Sequence, residues 1–288
     1  MRPVNRGPIP TRATARGESL KRVIDYSYYR PDLIANLGEY CSYCEVPLGV
    51  NLAVEHLLSK TSSLNAEDWD NLLLACTNCN SHKRNKTKSS KDLVKYFWPS
   101  KRYPDGFNTY DMMVYRKEAK TVEQLANDEV FLWPPTSRLQ NLYPNHSTQT
   151  YDQVWVYPSP TYATNQAKTK KIKDTILLMG LNDFTPDDND PRASDRRVAN
   201  RTIAWDRATR LAGYLEPYYR NPAGNQGAIN LLKAQIKETA IATGFWSVWM
   251  TVFSTYNFHN LVNDAERKQL LRDLFLGDAF PGTEYIIR

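Results

Sequence analysis

The chain has little cysteine, and what it has is confined to two places. All four cysteines among 288 residues fall in two CxxC pairs, Cys41–Cys44 and Cys76–Cys79. Secreted disulfide scaffolds are small and cysteine-dense, so sparse cysteine in a long chain argues against that class. Long apolar runs are also missing. The most apolar stretch, residues 240–253, is broken by Gly244, Ser247 and Thr251. It falls short of the ~20 apolar residues that a membrane span needs. Met1 to Gly7 lacks the apolar segment of a signal peptide. Together these absences predict a cytoplasmic protein with no membrane partner. Internal repeats are absent as well.

A hydrophobic content of 41% is enough for one large domain or two ordinary ones. The net charge of +6 and pI near 9.0 favour an anionic partner, although a mild excess can simply be spread over the surface. Residues 1–18 are rich in Arg, Pro and Gly. They read as an arm whose Arg2, Arg6, Arg12 and Arg16 either track phosphate or belong to a disordered tail. A helix is expected over Ser19–Tyr29, and another opened by Pro31 and closed by Gly38. Val50, Leu52 and Val54 alternate with polar or small neighbours, the period of a strand with one buried face. That strand ends on Glu55-His56. Trp69–Ala75 carries apolar side chains to the second cysteine pair, and a helix is expected from Asn80. Three regions follow: 1–110 around the cysteines, 111–165 as an irregular connection of short strands and loops, and 166–288 as helices.

Two CxxC pairs supply four thiolates, the donor set of a tetrahedral structural Zn²⁺ site. The gap between them, positions 45 to 75, exceeds the roughly 15–20 residues of the commonest double-CxxC signature and leaves room for a hairpin and a loop. Redox-active pairs are the alternative. However, a redox CxxC usually sits in a thioredoxin-like unit, which the flanking pattern does not resemble.

The text Cys41-x2-Cys44, Val54-Glu55-His56, Asp70-Asn71-Leu72 and Cys76-x2-Cys79-Asn80-x2-Lys83 resembles the HNH endonuclease family, in a variant whose last His is Asn. The resemblance covers residues 38–85. It implies an α+β fold: a ββα-metal core with zinc knuckles, followed here by a mostly helical C-terminal region. It also implies a metal-dependent nuclease. His56 suits the general base, because imidazole titrates near neutrality. Glu55 offers a hard oxygen to a catalytic Mg²⁺ or Mn²⁺, and Asn80 a side-chain carbonyl. Asn71, the central Asn by resemblance, braces the loop and orients His56. Asn80 could instead be a helix N-cap. His82 could supplement Asn80 at the metal, or lie on a helix face or against phosphate. His146 and His259 read as ordinary packed or surface residues.

Lys83, Arg84, Lys86 and Lys88 open a basic stretch that continues through Lys91, Lys95, Lys101 and Arg102 and is opposed only by Asp92. Next to a nuclease site such a run can neutralise phosphates, although a solvated helix face is the usual meaning of a charge run. No groove-reading helix stands out. Nucleic acid is the expected partner, DNA ahead of RNA. Trp246, Trp249 and Phe253 fall at helical spacing and suit either core packing or a docking face. A compact HNH module before a helical region, with Lys173–Asn182, is similar to the nuclease subunit of Septu-type antiphage systems, which implies an SMC-like ATPase partner and a role in antiviral defence. The rival readings are a zinc-stabilised nucleic-acid-binding module without catalysis and a protein-interaction scaffold.

Overall fold

The computed structural model describes residues 1–10, 26–61, 68–100, 109–131, 149–185, 195–258, 261 and 263–283. Arg12, Arg16, Lys101, Arg102, His146, His259 and most of the Ser19–Tyr29 helix lie outside the described residues. A 3-10 turn at Tyr26–Tyr29 runs into helix α1, Arg30–Leu37, with proline in its first turn and Gly38 at its C-terminus. Gly38 has φ +69, a backbone conformation that a Cβ disfavours.

Two short strands follow, β1 (Ala53–His56) and β2 (Leu72–Ala75). They pair antiparallel, with Val54 opposite Leu74 and His56 opposite Leu72. The expected strand start at Val50 is instead a 3-10 turn, Gly49–Asn51, and Val50 is fully exposed. All four residues of β2 are buried, so both faces of this strand are covered. Helix α2, Thr77–Lys83, then packs on the hairpin and completes a ββα unit. Its N-cap is Cys76, whose sulfur accepts from the Cys79 amide at 3.4 Å. Asn80 therefore sits inside the helix and is not its cap. A single turn, α3 (Ser90–Leu93), starts on a capping box between Ser89 and Asp92.

The stretch 111–165 is more regular than expected. It contains two nine-residue strands, β3 (Met113–Thr121) and β4 (Thr150–Pro158), paired antiparallel along their whole length. Helix α4, Val122–Ala126, follows β3 directly.

The remainder is helical: α5 (Gln166–Met179), α6 (Arg197–Leu215), α7 (Gln226–Thr243), α8 (Trp246–Thr255) and α9 (Asp264–Phe275). Asn165 caps α5 by accepting from Lys168, and Gly180 ends it in the left-handed conformation. Ala204, Ala208 and Ala212, one helical turn apart, are fully buried and let neighbouring elements approach α6 closely. Trp246, Trp249 and Phe253 are fully buried too, which resolves them as core. Leu231 is 71% exposed and does not continue the face of Ile236.

One core joins the ββα unit, the β3–β4 hairpin and α5, from Leu72, Leu73 and Leu74 to Val154, Trp155 and Ile176. A second fills the space among α6 to α9. The first core crosses the boundaries expected at residues 110 and 165.

The N-terminal arm also differs from expectation. Arg2 is buried and donates to the Leu37 and Pro281 carbonyls. Arg6 is buried and donates to the Leu72 carbonyl and to Ser100 Oγ. These guanidiniums satisfy buried backbone acceptors and are not available to phosphate.

Candidate functional site

The four cysteines come together from two loops. The first pair precedes β1 and the second straddles the β2–α2 junction. Ser42 N donates to the Leu74 carbonyl, which ties the first loop to β2. All four thiols are buried and free, with their sulfurs within 4.8 Å of one another. Cys44 and Cys76 Sγ lie 3.6 Å apart. Zn–S bonds of about 2.3 Å in a tetrahedron place sulfurs roughly 3.8 Å apart, so the donor set and spacing fit zinc. Burial pushes the Cys44 and Cys79 thiols well above their ordinary range. A packed interior cannot solvate several thiolates, and a divalent cation held by Cys41, Cys44, Cys76 and Cys79 would supply the missing charge.

Strand geometry separates the two catalytic candidates. Successive side chains on a strand point to opposite faces, and the β1–β2 register runs unbroken through His56. Glu55 turns towards the cysteine loop and α2. Tyr43 donates its hydroxyl to Glu55 Oε2 at 2.7 Å, and Lys83 Nζ lies 2.8 Å from Oε1. Burial raises the Glu55 pKa, and Lys83 and Tyr43 oppose that rise. On the other face the His56 ring meets Tyr26 edge-on, with centroids 4.6 Å apart. His56 is 8% exposed. The Lys60 ammonium lies 4.5 Å from the Tyr26 ring centroid.

Asn71 secures the turn after β1. Its side chain accepts from Leu58 N at 2.7 Å and donates to the Leu58 carbonyl, while its own carbonyl accepts from Leu57 N. Thr87 Oγ1 donates to the Leu57 carbonyl, tying this turn to the segment beyond α2.

Three expected roles need correction. Glu55 was expected to present an open oxygen to a hard cation. It is 4% exposed and both its oxygens are engaged. In this arrangement the residues do not fit a hydrated Mg²⁺ or Mn²⁺. Lys83 was expected on the nucleic-acid face. It is 1% exposed, because α2 presents it inward one turn after Cys79, and its ammonium also donates to the His56 carbonyl at 2.6 Å. His82 was expected either beside Asn80 at the metal, or on a helix face or against phosphate. It pairs with Asp183 at 2.7 Å, with its ring against Gly180 at the end of α5. One residue's step on α2 turns it about 100° from Lys83. Asn80 is half-buried, while Arg84, Lys86 and Lys88 are exposed as expected of a phosphate-facing run.

Sequence reasoning missed Tyr26, Tyr43 and Lys60. Tyr43 lies inside the first CxxC pair, and Lys60 four residues after His56. Both spacings were visible, but neither carries a signal without the partner it meets in space.

Residues 41–86 match the family model described as HNH endonuclease. Comparisons with curated proteins and with solved structures find no match. The matched segment spans both cysteine pairs, β1, β2 and α2.

Proposed function

Taking residues 41–86 as an HNH endonuclease domain, we propose that the protein hydrolyses phosphodiester bonds of nucleic acid, with His56 as general base. The single observation behind this is the placement of an imidazole at the end of β1 in a zinc-knuckle ββα unit. One ring nitrogen of His56 takes the proton from a water that attacks phosphorus in line with the leaving oxygen. Lys83 and Asn71 hold the backbone that follows the ring, the His56 carbonyl and the Leu57–Leu58 turn. The exposed Arg84, Lys86 and Lys88 neutralise backbone phosphates, and Lys60 adds a cation beside Tyr26. The zinc fixes the two loops that frame the hairpin.

The family resemblance implies Mg²⁺ or Mn²⁺ at the cut. Such an ion would neutralise charge on the phosphate and on the leaving oxygen. Glu55 as placed, with both oxygens engaged by Tyr43 and Lys83, does not fit it. DNA is the proposed substrate. The proposed antiphage role and SMC-like ATPase partner rest on the layout of an HNH module before a helical region and on the likeness of Lys173–Asn182. Asn182 has a structural task in that segment, since its side chain bonds both polar groups of the Val156 backbone.

The sealed Glu55–Lys83 pair favours a second reading, a zinc-stabilised nucleic-acid-binding module without catalysis. Plasmid and single-stranded substrates incubated with Mg²⁺ or Mn²⁺ separate the two. The nuclease reading expects cutting by the wild type and a loss of about 10²–10⁴-fold in His56→Ala. Binding by both proteins with cutting by neither would leave the non-catalytic module.

A further inference from the structure

We infer that Arg197, at the start of α6, is a positioning residue for the zinc knuckle, reaching it from the helical half of the chain. Its side chain is 3% exposed. Nη1 lies 3.2 Å from Cys79 Sγ and donates to the Met179 carbonyl at 2.8 Å. Nε and Nη2 grip the Asp195 carboxylate at 2.9 and 2.6 Å. The planar guanidinium thus has a sulfur on one side, a fixing acid on another, and the last carbonyl of α5 between them.

The charge at the knuckle explains the arrangement. Zn²⁺ with four thiolates carries a net charge of about −2, which a packed interior holds poorly. A donor hydrogen-bonded to a ligating sulfur offsets that charge and orients the ligand. Asp195 keeps the guanidinium aimed at the sulfur. Cys79 and Arg197 are far apart in sequence, so the contact links metal retention to the docking of α6. By reciprocity, whatever Arg197 adds to zinc binding, zinc adds to that docking. This inference rests on the zinc knuckle and is independent of whether the protein cuts nucleic acid.

Arg201 serves as the control. It is fully buried on the same helix, where it bonds the Val154 carbonyl and Asn182 rather than a cysteine sulfur. The full chain is loaded with zinc and challenged with a competing chromogenic chelator. A parallel sample is loaded with Co²⁺, whose sulfur-to-metal charge-transfer band reports the metal–thiolate bonds directly. Arg197→Met should release zinc about 10–100-fold more readily and shift the cobalt band. Arg197→Lys should fall between it and the wild type. Arg201→Met should keep both zinc retention and the band even if it lowers thermal stability. Wild-type retention and an unshifted band in Arg197→Met would overturn the inference. So would Arg201→Met losing zinc to the same extent, since that would mean general loosening. If Arg197→Met does not fold, the band of Arg197→Lys decides, and an unshifted band overturns the inference.

Discussion

At the scale of single residues, Lys83 shows how burial changes the meaning of a charge. In the sequence it heads a basic run and is indistinguishable from Arg84 or Lys86. In the fold it is an internal cation holding Glu55 and the His56 carbonyl. Removing one partner of a buried ion pair leaves the other unpaired at a cost of about 3–5 kcal/mol. Lys83→Met should therefore lower unfolding free energy by that order, measured by denaturant titration. Lys86→Met should change it by under about 0.5 kcal/mol, as for an ordinary surface substitution. Equal effects would remove the distinction. Gly180 gives a second test. It ends α5 at φ +56, and a Cβ there would lie 2.7 Å from the His82 ring. Gly180→Ala should destabilise by about 1–2 kcal/mol and displace His82 from Asp183, read as a shifted imidazole resonance.

The cysteine quartet was legible in the sequence because two CxxC pairs form a ligand set whatever surrounds them, and His56 was marked as a candidate by its place between the pairs. Tyr43, Lys60 and Arg197 were not. Each has meaning only beside a partner that folding brings to it, and Arg197 lies far along the chain from the sulfur it touches.

At the scale of elements, two-residue periodicity located β1 but misplaced its start, because local chain geometry at Gly49–Asn51 overrode the alternation. The β3–β4 hairpin was blurred by the residues between its strands, 122–149, which exceed an ordinary hairpin loop. The ends of α5 carry the residue types that favour them, Asn165 at the cap and Gly180 at the stop. The ββα unit is small, and structural zinc can contribute on the order of 10 kcal/mol to the folding of such a unit. Stripping the metal should remove amide protection from 41–44, β1, β2 and α2, measured by hydrogen exchange. Protection that survives demetallation would argue against zinc as the clasp.

Helix α3 predicts an acid response. Hydrogen bonds from Lys95, Ser89 and the Lys88 amide hold the Asp92 carboxyl down to about 2. A folded-state pKa below the unfolded 3.8 means the carboxylate's contribution is present above pH 3.8 and lost as pH falls through 2. Amide protection at residues 92–95 should decline over that window in the wild type. Asp92→Asn should show a flat, weaker response.

At the scale of the whole molecule, the first core runs from the hairpin into β4 and α5. The ββα unit is therefore buttressed by the rest of the chain. The exposed cations beyond α2 give the chain a face suited to phosphate. Each phosphate contact contributes about 0.9 to the log–log salt slope on duplex DNA. Replacing Arg84, Lys86 and Lys88 together by Gln should reduce that slope by up to about 3. An unchanged slope would place the nucleic-acid face elsewhere.

The role proposed for the His56 imidazole is to do the chemistry of phosphodiester cleavage. The most direct measurement is single-turnover cleavage by His56→Gly, folded and zinc-loaded, with and without added imidazole. His56→Gly should cut almost nothing alone and recover with rising concentration of imidazole, which enters the vacated space. Cleavage by the variant at the wild-type rate, with no response to imidazole, would contradict that role.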